Sequence, residues 1–158
     1  MIKSMNKTER RTLSSLTTPR KLQYFLDQLA YNPEEGWFRC PLRVLRDRKA
    51  HCFEGAVFAA AVLENLGFPP LIVNMFPERG TDDEHLFAVY QQHGAWGAVA
   101  QSNFVGLRFR EPIYRNLREL VLSYFEQYYN LARQKTLRSY TRPLNLNTFE
   151  KKTVADQQ

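Results

Sequence analysis

Cysteine is scarce: only Cys40 and Cys52 occur among 158 residues. Two thiols cannot build the disulfide framework of a small secreted domain, and the opening MIKSMNKTERR lacks the apolar stretch of a secretory signal. The expectation is two free thiols in a reducing, cytoplasmic setting. Long apolar runs are missing too. The longest, Ala56 to Leu63, falls far short of the ~20 residues a helix needs to cross a bilayer, so no membrane role is expected. No run of five Lys or Arg residues occurs, although the net charge is +6. The basic residues are spread from Arg10 to Arg118, which favours solubility over a polyanionic partner, and nucleic acid is not expected. Nor is there a repeat, a low-complexity linker or a paired C-x-x-C spacing. Cys40, His51, Cys52 and His85 are metal-ligand types without metal-ligand spacing, so neither a metal nor an organic cofactor is implied.

What is present is an ordinary globular composition, 44% apolar, with a generous set of aromatics: 11 Phe, 8 Tyr and 2 Trp. The length suits one domain with a filled core. Residues 1–18 read as a polar, basic N-terminal segment, 19–135 as a single domain, and 136–158 as a polar tail that frays at EKKTVADQQ.

Within the domain, TTPRKLQYFLDQLAYN predicts a helix with Thr18 as its cap, Pro19 in its first turn and an apolar stripe at Leu22, Phe25, Leu26 and Leu29. Pro41 opens a short helix, with Cys40 buried before it. HCFEGAVFAAAVLENLGFPP predicts a long helix, apolar on nearly every side, that ends at Gly67 and the Pro69–Pro70 pair. LIVNMF reads as a strand. HLFAVYQQ and WGAVAQSNF read as a hairpin turned at His93 and Gly94, and GLRFRE continues the sheet. PIYRNLRELVLSYFEQYYN predicts a second long helix, striped by Leu117, Leu120, Val121, Tyr124, Phe125 and Tyr128. The sum is an α+β fold: a central buried helix packed on a 3–4-stranded antiparallel sheet with flanking helices.

Cys52 stands at the mouth of the buried helix, where unpaired N–H groups favour an anion, so its thiol pKa is expected to fall. A cysteine nucleophile needs a base, and His85 opens the first hairpin strand. A third group must orient the imidazole, and it is expected on the neighbouring strand, in or just after Trp96 to Asn103. His51 is expected to cap or cover the helix start. Asp82, Asp83 and Glu84 are expected in a solvated loop, and Arg108 and Arg110 on a solvated strand face.

A cysteine opening a helix that ends in LENLGFPPLIV, a histidine strand HLFAVY and a tryptophan-bearing strand GAWGAVAQS together resemble the transglutaminase-like cysteine-histidine-aspartate superfamily, over residues 50–104. The resemblance implies a papain-like fold. It also implies Cys52 as thiolate nucleophile, His85 as general base and acid, and acyl transfer or hydrolysis of a peptide or protein amide through a thioester. The Cys52 backbone N–H would help hold the oxyanion. The strand that carries the family's aspartate has no acid here. Four residues past Trp96 stands Ala100, followed by Gln101, Ser102 and Asn103. Ser102 lies on the expected face and is the first candidate for the third role. Asn103 serves if the strand bulges, and Gln101 is the remaining polar neighbour. The missing acid keeps a second reading open: the same fold, catalytically inactive, used as a protein-binding module.

Overall fold

The computed structural model describes residues 4–33 and 38–148. Asn6 and Glu9 form a reciprocal cap on α1 (Lys7–Ser15), and the Glu9 carboxylate accepts from Arg46 Nε at 2.7 Å. The N-terminal segment is therefore a docked helix, and Leu16 behind it enters the core. Thr18 caps α2 (Pro19–Asp27), with Pro19 in the first turn where its missing N–H costs nothing. A two-residue strand β1 (Ala30–Tyr31) follows. Then come α3 (Pro41–Asp47) and β2 (Lys49–Ala50), which pairs in parallel with β1 in the register Tyr31↔Ala50.

The central helix is α4 (Cys52–Asn65). It is buried along most of its length, as its apolar sequence requires. It stops in a Schellman turn: Gly67 takes φ 91°, and the Phe68 N–H reaches Leu63 O at 3.0 Å. The chain next lays down β3 (Leu71–Pro77), β4 (His85–Gln92) and β5 (Ala95–Val99). His93 and Gly94, both at positive φ, make the tight turn between β4 and β5.

The sheet has six strands in the order β6-β5-β4-β3-β7, with the short β8 also on β3. It is larger than the sequence predicts, because the segment beyond residue 136 adds strands to it. The edge strand β6 is Arg110–Tyr114: it keeps the end of the stretch read above as sheet and takes in Pro112 to Tyr114, read above as the start of a long helix, where Pro112 withholds no needed N–H. The helix α5 that follows is only Leu117–Leu122, capped by Asn116. Beyond residue 136, where a polar tail is expected, β7 (Leu137–Tyr140) and β8 (Leu144–Asn145) both pair with β3. The fraying expected of EKKTVADQQ falls outside the described residues. Among the described residues no helix is long and apolar enough to cross a membrane.

Side chains of β4 alternate between two cores. Ala88 and Tyr90 join the helices α2, α3 and α4 on one face; Phe87 and Val89 meet Leu120, Tyr124 and Tyr128 on the other. Burying a side chain such as Phe58 or Leu63 in full contributes about 2 kcal/mol, and both are completely enclosed. This packing fixes the mouth of α4 against one end of β4.

Candidate functional site

The first turn of α4 is held by polar groups that the apolar helix does not otherwise use. His51 is its cap: Nδ1 accepts the Phe53 N–H at 3.1 Å and the Glu54 N–H at 3.5 Å. Burial pushes this imidazole pKa down, which keeps Nδ1 an acceptor. The capping role expected of His51 is thus what the structure shows. Glu54 is fully buried and answers the cap by accepting the His51 N–H at 3.0 Å. It also accepts the Arg39 N–H at 2.7 Å and the Asn32 amide at 3.2 Å, tying two preceding segments to the helix mouth. The spacing of His51 and Glu54 is that of a capping box, a signal legible in sequence. Cys40 is exposed, contrary to its expected burial: it stands at the N-cap position of α3, outside the core, and its side chain makes no capping bond.

Cys52 is the first helical residue. Its Sγ lies 4.0 Å from the Glu84 carbonyl, and the Leu86 N–H favours its anion, so the sulfur sits on the β4 backbone to either side of His85. The last pair between β4 and β5 is Ala88↔Val99, so this edge of β4 is open to the sulfur. The expectation of a lowered thiol pKa is corrected: burial outweighs the helix-end N–H groups and pushes the Cys52 thiol up.

His85 is buried and stacks its ring with Phe87, so it shares that residue's face of the sheet. The thiol therefore lies at the open edge of β4, and the imidazole leans to the Phe87 face of that strand. His85 Nε2 lies 2.8 Å from the Leu107 carbonyl oxygen, at the end of a tight 3-10 turn (Val105–Leu107). A carbonyl only accepts, so Nε2 carries the proton and the neutral ring keeps its lone pair on Nδ1. Burial lowers the imidazole pKa to about 4; the Leu107 carbonyl works against the shift and the charge of Arg110 adds to it.

Ser102 does not hold Nε2. Its Oγ accepts the Phe104 N–H at 3.0 Å, a local turn bond, and the place expected for it is taken by a main-chain oxygen. Asn103 is exposed and Gln101 is buried with its Oε1 unbonded. Gln101 packs its Cβ on Gly55 of α4. No sequence signal marks the Leu107 carbonyl, since every residue has one. Arg108 and Arg110 are not on a solvated face either. Arg108 donates to Ser102 O and Asp27, and Arg110 to Gly106 O and Ser123, so both pin the segment that carries Leu107.

Cys52, His85 and Ser102 line one cleft of about 860 Å³. One wall is the 102–107 segment, with Phe104 exposed at its rim. The other joins the acidic loop to residues 127–133: Tyr128 Oη donates to Asp83 O at 2.5 Å and Asn130 to Thr81 O at 3.2 Å. Asp82, Asp83 and Glu84 are exposed, as expected, and line that wall. Tyr31 closes the cleft beside Cys52. Among the described residues no group of three His, Cys, Asp or Glu side chains gathers to hold a metal ion.

A helix with cysteine at its head, packed on a curled antiparallel sheet whose first hairpin strand begins with histidine, is a mixed α+β, papain-like fold. The solved structure of EGTA-treated LapG from Legionella pneumophila shares this fold with a TM-score of 0.52 and 11% identity, covering 90% of this chain and 76% of LapG. A candidate cysteine protease from Cytophaga hutchinsonii aligns at a TM-score of 0.42 and 12% identity, over 91% of this chain and 47% of that one. By sequence, no protein family and no curated protein matches the chain.

Proposed function

We propose that this chain is a cysteine-dependent enzyme of the transglutaminase-like type, acting on a peptide or protein amide through a thioester. The observation that carries the reading is the placing of the Cys52 sulfur on the backbone at either side of His85, inside a cleft that both residues line. In this reading the resting pair is neutral thiol and neutral imidazole, because burial disfavours both charges. His85 Nδ1 takes the thiol proton as the sulfur attacks, and then returns it to the leaving amine. The Leu107 carbonyl replaces the family's acid: it fixes the tautomer and the ring, at the cost of a full counter-charge. The water or amine that attacks the thioester decides between hydrolysis and transfer.

The test is acylation by p-nitrophenyl acetate at pH 7. One acetyl group should appear on Cys52, and both Cys52→Ala and His85→Ala should abolish it. Wild-type acylation no faster than in Cys52→Ala removes the enzymatic reading.

A second reading, an inactive fold that binds protein, is favoured by one observation: the sulfur's neighbours are backbone groups rather than the imidazole. It predicts no acylation above background and alkylation by iodoacetamide only above the ordinary thiol range of about pH 8.5.

A further inference from the structure

We infer that Tyr31 is a catalytic residue of this site, its hydroxyl donating to the carbonyl oxygen of the substrate as sulfur adds. The inference rests on the enzymatic reading above and adds a residue to it. Three observations converge on Tyr31. Its strand is parallel to β2 in the register Tyr31↔Ala50, with the Asn32 N–H on Ala50 O at 3.1 Å. Ala50 stands two positions before Cys52, so the pairing fixes Tyr31 alongside the helix mouth. The side chain is half-buried and lines the same cleft as Cys52 and His85. Its hydroxyl has no hydrogen-bond partner among the described residues, whereas the buried tyrosines Tyr124 and Tyr128 both donate to backbone carbonyls. The hydroxyl is not enclosed, so it is free to donate to a molecule bound in the cleft.

The chemistry at Cys52 creates that acceptor. When sulfur bonds to the amide carbon, the C=O π pair moves to oxygen and the thiol proton passes to His85. Charge develops where none existed in the resting substrate. The Cys52 backbone N–H at the head of α4 supplies one donor, and the Tyr31 hydroxyl supplies a second from the cleft side. When the oxyanion collapses, the C–N bond breaks, His85 returns the proton to the amine, and both donors are released unchanged. Tyr31 stays protonated throughout, since burial and the neighbouring Cys52 and Asp83 push its pKa up.

Tyr31→Phe removes only the hydroxyl. The experiment compares two reactions of Cys52 in the full chain: acylation by p-nitrophenyl acetate, which forms an oxyanion, and alkylation by iodoacetamide, which does not. Acylation is expected to slow about 10- to 100-fold, while alkylation stays within about two-fold of wild type. If wild type acylates and Tyr31→Phe acylates equally fast, the assignment of Tyr31 falls and the enzymatic reading stands. Equal losses in both reactions also overturn it, because a general disturbance of Cys52 accounts for them. A wild type that does not acylate removes the enzymatic reading, and this assignment with it.

Discussion

Gly55 offers a test in which local preference and packing predict opposite signs. It stands in the first turn of α4, three residues after Cys52, with an ordinary helical backbone. Replacing a helical glycine by alanine normally stabilises by about 1 kcal/mol. Here the added Cβ would lie 2.4 Å from Gln101 Cβ, 3.4 Å from its Cγ and 3.6 Å from its Cα. Comfortable carbon contacts begin near ~3.5 Å, and the closest atom belongs to the stem of Gln101 rather than its flexible end, so backbone must move. Overpacking of this kind costs about 1–3 kcal/mol, which cancels or exceeds the propensity gain. Gly55→Ala is therefore expected to be neutral to destabilising by about 2 kcal/mol in urea denaturation. The displaced segment runs on to Leu107, so acylation should fall as well. Partner substitutions sharpen the test. Gln101→Ala keeps the clashing Cβ and should not rescue Gly55→Ala, whereas Gln101→Gly removes it and should show favourable coupling in a double-mutant cycle. A Gly55→Ala protein more stable than wild type by the full propensity gain, with acylation intact, would refute the reasoning.

Three further outcomes follow from the site. His85 titrates near 6.5 when unfolded and at about 4 when folded, so between those values the unfolded chain holds the extra proton. Stability should fall by about 3 kcal/mol as pH drops through that window; His85→Leu should flatten this part of a urea-midpoint profile, and an unchanged slope contradicts the burial argument. In the enzymatic reading, acylation of Cys52 with the neutral imidazole as base should persist to well below pH 6.5, with half-loss at about 4; a midpoint at 6.5 would mean an exposed, ordinary histidine. Glu54→Ala leaves buried donors of His51, Arg39 and Asn32 without their carboxylate and should cost about 3–5 kcal/mol, whereas His51→Asn, which can still cap, should keep both stability and acylation, and a loss of acylation there would make His51 more than a cap.

The parts of the fold that sequence displays are those carried by side-chain pattern. The α4 helix announces itself by an apolar run closed with Gly67, and the β4–β5 hairpin by alternation around His93 and Gly94. The errors lie where backbone geometry decides. Leu117 to Tyr128 keeps helical spacing because a short helix followed by a 3-10 turn also returns side chains to one face every three or four residues. β7 has only Leu137 buried, so its polar residues hide a strand that joins the sheet through main-chain bonds. The same holds at the site. Cys52 and His85 are visible as residue types, but the group at Nε2 is a carbonyl, and the raised thiol pKa depends on burial that no spacing encodes.

The cleft has one more property, set by where its parts lie along the chain. Tyr31, Cys52 and His85 emerge early, but the wall that Tyr128 and Asn130 lock onto the acidic loop comes from the last third of the sequence. A polypeptide still being synthesised, extended only through β6, has the thiol, the imidazole and the 102–107 wall but not the wall that faces it. In the enzymatic reading the chamber therefore closes late, once residues 127–133 have reached the acidic loop.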